Sequence, residues 1–194
     1  MNTIEPISKI AKWIRKSKQI RENTSNQWDF AIASITKPKE EEFKKPLDDI
    51  ALRVTGKVEK PLMLSMAAIL DMESEGFQNI FIVCGSGEPR DSIQECRGVL
   101  IEKILQKADV LKEEHNDTKK MFIVAKADDG YKVVFSWQEI FNTVIGGGVA
   151  VLTERDGRPL SETRDRIDLI SAQDYYAGSR YVRDLRQIEV LLLR

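Results

Sequence analysis

The stretch NIFIVCGSG, residues 79 to 87, decides the fold class. Its apolar, β-branched run from Ile80 to Val83 is too short for a free-standing helix, so it reads as a buried strand that opens into a glycine loop. Cys84 falls where the strand becomes the loop. Downstream, GVLIEKILQKADV (98 to 110) carries Val99, Leu100, Ile104, Leu105 and Ala108 at helical spacing. MFIVAKADDGYKVVFS (121 to 136) predicts two strands joined by Asp-Asp-Gly, because Asp-Gly accepts the positive φ of a tight turn. WQEIFNTVI then predicts a short helix, Gly146 to Gly148 a flexible helix-to-strand connection, and VAVLT, RIDLIS and QIEVLLL three further strands, the first followed by an Arg-Asp-Gly turn. Upstream, IALRVTGKV (50 to 58) alternates as a half-buried strand does. LSMAAILDMESEG predicts a short helix capped by Ser65 and stopped by Gly76. Strands and short helices mix without regular βαβ alternation, which predicts an α+β fold with a mixed sheet.

The bulk properties narrow the function classes. A chain of 194 residues with 42% hydrophobic and 31% charged residues suits one compact domain with an appendage. The formal net charge of -1 gives no basic excess of the kind that coats nucleic acid. No run approaches the roughly 20 apolar residues of a membrane-spanning helix. In ISKIAKWIRKSKQI (7 to 20) lysines and arginines interrupt every apolar step, so no export signal is legible and a cytoplasmic location is expected. Ile7, Ile10, Ala11 and Ile14 recur at helical spacing, which predicts a basic amphipathic arm, and TKPKEEEFKKPLD (36 to 48) has the composition of a charged linker. The expected division is an arm and linker over residues 1 to 47 and a compact domain over 48 to 194. The arm reads as docked on its own domain, the alternative being a helix for a protein partner or a membrane surface.

Few residues can carry chemistry. Two cysteines, Cys84 and Cys96, lack the spacing of a metal finger, and the lone histidine, His115, lies in a polar stretch. A cysteine at a strand-to-loop junction can be presented at a pocket rim as a metal ligand or nucleophile, or it can be an inert buried thiol. The GSG at Gly85 to Gly87 completes neither a dinucleotide nor a Walker pattern, and its use would be to turn the backbone sharply beside Cys84. In AGSRYVRDLRQIEV, Arg180, Arg183 and Arg186 stand three apart after a Gly-Ser turn. Their planar forks suit a phosphate group, and the alternative is a solvated face paired to Asp165, Asp168 or Asp184.

The succession LRVTGKVEKPLMLSMAAIL, FIVCGSG, CRGVLIEKILQKADV, AKADDGYKVVFS, DGRPL and SRYVRDLRQIEV resembles the oxidoreductase molybdopterin-binding family, to which sulfite oxidase belongs. The resemblance runs from about Ile50 to Val190. It implies the mixed-sheet fold of that family, a molybdopterin cofactor, and Cys84 as the protein thiolate on molybdenum. It also implies that Tyr131 faces an oxo-anion substrate and that Arg180 and Arg183, with Ser179 beside them, hold the pterin phosphate. The implied reaction is a two-electron oxygen-atom transfer on a small substrate, with Arg90, placed by loop proximity, helping Tyr131 to orient it. Family members in bacteria are often exported, against the cytoplasmic expectation. Departures from the family pattern are the Cys96-Arg97 pair where a tryptophan precedes Gly98-Val99, the absence of a proline in RIDLISAQD, and the absence of any histidine before His115. Two readings follow: a molybdopterin-dependent oxidoreductase, or a non-catalytic member of the fold that binds another ligand or a protein.

Overall fold

The computed structural model describes residues 50 to 163 and 166 to 194. The expectations for the arm and linker lie outside the described residues. Among the described residues, ten strands, two of them very short, carry the architecture: β1 (Leu52–Gly56), β2 (Leu62–Leu64), β3 (Glu75–Val83), β4 (Pro89–Leu100), β5 (Met121–Ala127), β6 (Lys132–Ser136), β7 (Val149–Arg155), β8 (Arg158–Pro159), β9 (Asp168–Ser171) and β10 (Leu185–Leu192). They form one sheet in the order β2-β1-β10-β5-β6 and a second in the order β3-β4-β7-β8, with β9 paired to β7. Only short helices interrupt them, and the class is α+β, as expected. β10 runs parallel to β1 and antiparallel to β5, so the last strand closes the middle of the first sheet.

Side-chain period explains the layering. On β6, Val133 and Phe135 are buried while Lys132 and Val134 face outward, the pattern of a strand with one wet face. β7 instead reads Val-Ala-Val-Leu and is buried on both faces. Val149 and Val151 join a large core with Leu52, Ile123, Phe135 and Ile188, whereas Leu152 joins a second core with Ile82, Ile93, Ile170 and Tyr181. The helix Ile101–Ala108 puts Ile101, Ile104, Leu105 and Ala108 into the large core, one stripe at spacings of three and four. It ends where Asp109 takes φ 56°, a left-handed cap.

Several local expectations needed correction. The predicted helix over 98 to 110 begins only at Ile101, because β4 continues through Leu100. Ser65 does cap a helix, Met66–Leu70, with its hydroxyl accepting from the Ala68 amide at 3.2 Å. Gly76 does not stop it and lies inside β3. The triple glycine forms a buried 3-10 turn: a Cβ on Gly146 would stand 1.9 Å from the Ile140 carbonyl oxygen, and one on Gly148 would stand 2.5 Å from Gln173 Cγ. Close packing, not flexibility, is what requires glycine there. The Asp128-Asp129-Gly130 hairpin stands as expected, with Gly130 at φ 88°.

Both strands of the β3–β4 ribbon switch faces near their middles. Asn79 adopts φ 55°, and Phe77 and Ile80, three residues apart, therefore both pack into the second core. Opposite them, Ile93 and Cys96 do the same. The Asp156 carboxylate accepts the Gln94 and Glu95 amides at 2.8 and 3.3 Å at that switch.

Candidate functional site

At the end of β3 the chain reverses through Cys84, Gly85, Ser86 and Gly87. The Gly87 amide donates to the Cys84 carbonyl at 2.9 Å, and the Cys84 amide donates to the Glu88 carbonyl at 3.0 Å. Cys84 is half-buried and Cys96 is buried, both as free thiols. The Cys84 sulfur lies 2.8 Å from the Ser86 hydroxyl oxygen. That hydrogen bond, against a smaller opposing effect of burial, brings the thiol down to about 7, with help from backbone amides and Arg90. The Cys96 thiol moves the other way, pushed up to about 11 by burial and by the charge of Asp156. The two thiols are thus pushed in opposite directions, Cys84 toward the thiolate and Cys96 away from it.

A second segment is pressed against this loop. In the 3-10 turn Ala177–Arg180, a Cβ on Gly178 would lie 2.5 Å from the Val83 carbonyl oxygen, so the two backbones meet where only glycine fits. A Cβ on Gly85 would in turn sit 3.6 Å from the Ser179 hydroxyl oxygen. The Tyr131 hydroxyl, reaching from the β5–β6 turn, donates to the Ser179 carbonyl at 2.8 Å. Tyr131 is partly exposed, and its own amide donates to Asp129 at 2.8 Å. Three residues singled out in the sequence, Cys84, Tyr131 and Ser179, therefore lie at one end of the second sheet. Arg90, a neighbour of the same loop, is exposed and pairs with Glu88 at 3.1 Å.

The arginines divide. Arg180 lays its fork across Asp174, with contacts of 2.7 and 2.5 Å, and gives a third hydrogen bond of 2.9 Å to Glu139. It also stacks over Phe135 with its central carbon 4.4 Å from the ring centroid. Arg183 is mostly exposed, 3.8 Å from Asp91 and over the Tyr181 ring. Arg186 turns to Asp128 at 3.5 Å. Of the acids offered as partners for a solvated arginine face, Asp168 is buried and accepts from the Tyr181 hydroxyl at 2.6 Å and the Asp184 amide at 3.0 Å, Asp184 lies 3.6 Å from Arg166, and Asp165 lies outside the described residues.

Ser86, Asp174 and Glu139 were missed by sequence reasoning. For Glu139 a signal existed: Ser136-Trp-Gln-Glu139 is a capping box, with the Ser136 hydroxyl accepting from the Glu139 amide and the Glu139 carboxylate accepting from the Ser136 amide. Its other carboxylate oxygen is the one that meets Arg180. Asp174 gave no such signal.

The fold and loop together define a class: a two-sheet α+β domain that presents one activated cysteine beside a glycine-tight 3-10 turn. No family model matches the sequence, and no curated protein matches it. Among solved structures, the chain is similar to the sulfane dehydrogenase SoxCD from Paracoccus pantotrophus, with a TM-score of 0.58, 16% identity and 76% of this chain covered. It spans 39% of the length of that chain. At that identity the likeness is one of fold. No helix among the described residues is long and apolar enough to cross a membrane.

Proposed function

We propose that the domain binds a molybdopterin cofactor in the manner of the sulfite-oxidase family, with Cys84 as the thiolate ligand of molybdenum, in a fold of that family's type. The observation that carries the reading is the Cys84 thiol, brought down to about 7 on a loop held between Gly178 and Ser86. The family resemblance puts its metal-ligating cysteine at this position, and the likeness to a dehydrogenase fold agrees with it. The donor set suits such a group. A metal held chiefly by pterin sulfurs asks one thiolate of the protein, and Cys84 offers it. Arg183, whose fork is largely in solvent, would donate to the pterin phosphate, with the Ser179 hydroxyl beside Gly85. Arg180 does not fit that role as it stands, because two carboxylates occupy it.

When bound, the cofactor would supply two-electron oxygen-atom transfer to a small oxo-anion. The chain's own contributions are then positional. Ser86 stabilises the Cys84 thiolate, Tyr131 fixes the Ser179 backbone, and Arg90 offers a cation to an anionic substrate at the rim. The test is elemental and pterin analysis of protein from a molybdenum-replete host that makes the cofactor. Near-stoichiometric molybdenum in the parent, lost in a folded Cys84→Ser variant, is the expected result. No metal in the parent, or metal retained by the variant, overturns the ligand assignment.

A second reading, a non-catalytic binding module on the same fold, is favoured by one observation: the arginine expected to grip phosphate is neutralised within the protein. Under it the parent binds no molybdenum. A protein partner acting through the N-terminal arm belongs to this reading.

A further inference from the structure

The Tyr131 side chain links two backbones that are also fixed by contacts of their own, and the second of them lies against Cys84. The first is the β5–β6 turn, which the hairpin sets. The Ala127 amide donates to the Tyr131 carbonyl at 2.9 Å, the Gly130 amide to the Ala127 carbonyl at 3.2 Å, and the Asp128 amide to the Asp184 carbonyl at 3.0 Å. The second is the 3-10 turn Ala177–Arg180. Ala177 is buried, a Cβ on Gly178 would stand 3.3 Å from the Cys84 nitrogen as well as against Val83, and Arg180 is held by Asp174 and Glu139. Neither backbone shifts without breaking several contacts at once.

The link between them is slight. Tyr131 is 44% exposed and Ser179 is exposed. Among the described residues, the 2.8 Å bond from the Tyr131 hydroxyl to the Ser179 carbonyl is the one polar contact of that side chain. The hairpin uses only the main-chain atoms of Tyr131, so rotation about its Cα–Cβ bond breaks this contact and leaves both backbones as they are. Exposed side chains exchange rotamers in picoseconds to nanoseconds, which leaves a single surface hydrogen bond to hold the ring in place. In that place the ring ends at Ser179, whose hydroxyl oxygen stands 3.6 Å from where a Cβ on Gly85 would be. The tyrosine is thus parked one residue's width from the Cys84 loop.

From these observations we infer that Tyr131 is a swinging bar beside Cys84. Parked on the Ser179 carbonyl it narrows the approach to the thiol, and turned out to solvent it admits a bulky group. The inference deepens the cofactor reading, because a pterin would need the open position, but it concerns one side chain of this protein and is tested without molybdenum.

The test is alkylation of Cys84 in the full chain, made in a host without the molybdenum cofactor and followed by intact mass. A bulky reagent, fluorescein maleimide, is compared with a small one, iodoacetamide. Tyr131→Phe keeps the ring and removes the donor. It should quicken the bulky reagent by about fivefold, the factor set by one net hydrogen bond of about 1 kcal/mol, while iodoacetamide changes little and the melting temperature holds. Tyr131→Ala removes the bar itself and should quicken the bulky reagent at least as much. Three outcomes would each overturn the proposal: a bulky-reagent rate unchanged in Tyr131→Phe, an equal quickening of both reagents, which would place the effect on the thiol instead of on access, or a slower bulky reaction in Tyr131→Ala. A parent that never takes up molybdenum would end the cofactor reading and leave these rates as they stand.

Discussion

Replacing Arg180 by alanine separates a structural cation from an anion clamp. Its guanidinium makes three hydrogen bonds to Asp174 and Glu139 and stacks on Phe135. The side chains of Arg180, Asp174 and Glu139 are 20%, 12% and 35% exposed, so solvent screens the cluster only in part. Removing one partner of a fully buried ion pair costs about 3–5 kcal/mol, and an exposed pair contributes about 0–1 kcal/mol. The ring contact adds about 0.5–1 kcal/mol. A loss of about 2–3 kcal/mol follows for Arg180→Ala, between those limits. Arg180→Lys should recover only about half of it, because an ammonium cannot span both oxygens of Asp174. Urea unfolding followed by circular dichroism, with the slope unchanged between variants, measures both. Because Arg180 anchors the turn that holds Gly178 and Ser179 against Cys84, alkylation of Cys84 should also quicken in the alanine variant. A loss under about 0.5 kcal/mol would refute the reasoning and return Arg180 to the pool of cations free to hold a phosphate.

Two more outcomes follow from titration. Alkylation of Cys84 in the parent should rise through a midpoint near pH 7, and Ser86→Ala should move that midpoint upward, while Cys96 stays unreactive until the chain unfolds; a midpoint unmoved by Ser86→Ala would remove the serine as its cause. Stability should fall at both extremes of pH. Burial opposes ionisation of Asp91, Asp156 and Glu139, but hydrogen bonds from Arg155, Arg180 and backbone amides hold all three below their ordinary range. Their stabilisation is complete above the unfolded carboxyl values near 4 and is lost as pH falls through the folded ones. Burial and the neighbouring Asp168 raise the Tyr181 hydroxyl, so its contribution is present below about pH 10 and is lost as pH rises beyond it. A urea midpoint that stays flat from pH 5 to pH 3 would sink the carboxylate half of this account.

What could be read in the sequence was whatever local chemistry determines. Asp128-Asp129-Gly130 needs its own backbone alone to turn, and the stripe from Ile101 to Ala108 needs only a core on one side. β4 failed that test. The helix expected over 98 to 110 took in its last three residues, and Ile93 and Cys96 stand three apart on one face because the strand reverses its faces at Gln94 and Glu95, where a carboxylate 62 and 61 residues away pins the amides. Gly76 misled for a related reason: a glycine after a helix reads as a stop, and nothing nearby in sequence reveals the strand that takes it in.

The arginines carry the same lesson into the site. A spacing of three puts Arg180, Arg183 and Arg186 on one face only if the chain is helical, and here Arg180 ends a 3-10 turn while Arg186 lies in β10. Each therefore meets a different acid, brought from Asp174, Asp91 or Asp128 by the tertiary fold. Cys84 differs because its environment is almost wholly local: the strand end, two glycines and Ser86 suffice to expose and activate it. A fold can thus keep an activated thiol while Arg180, one of the cations expected beside it, is committed elsewhere. Molybdenum content and the stability of Arg180→Ala, measured on the same protein, distinguish a working cofactor site from a retained loop.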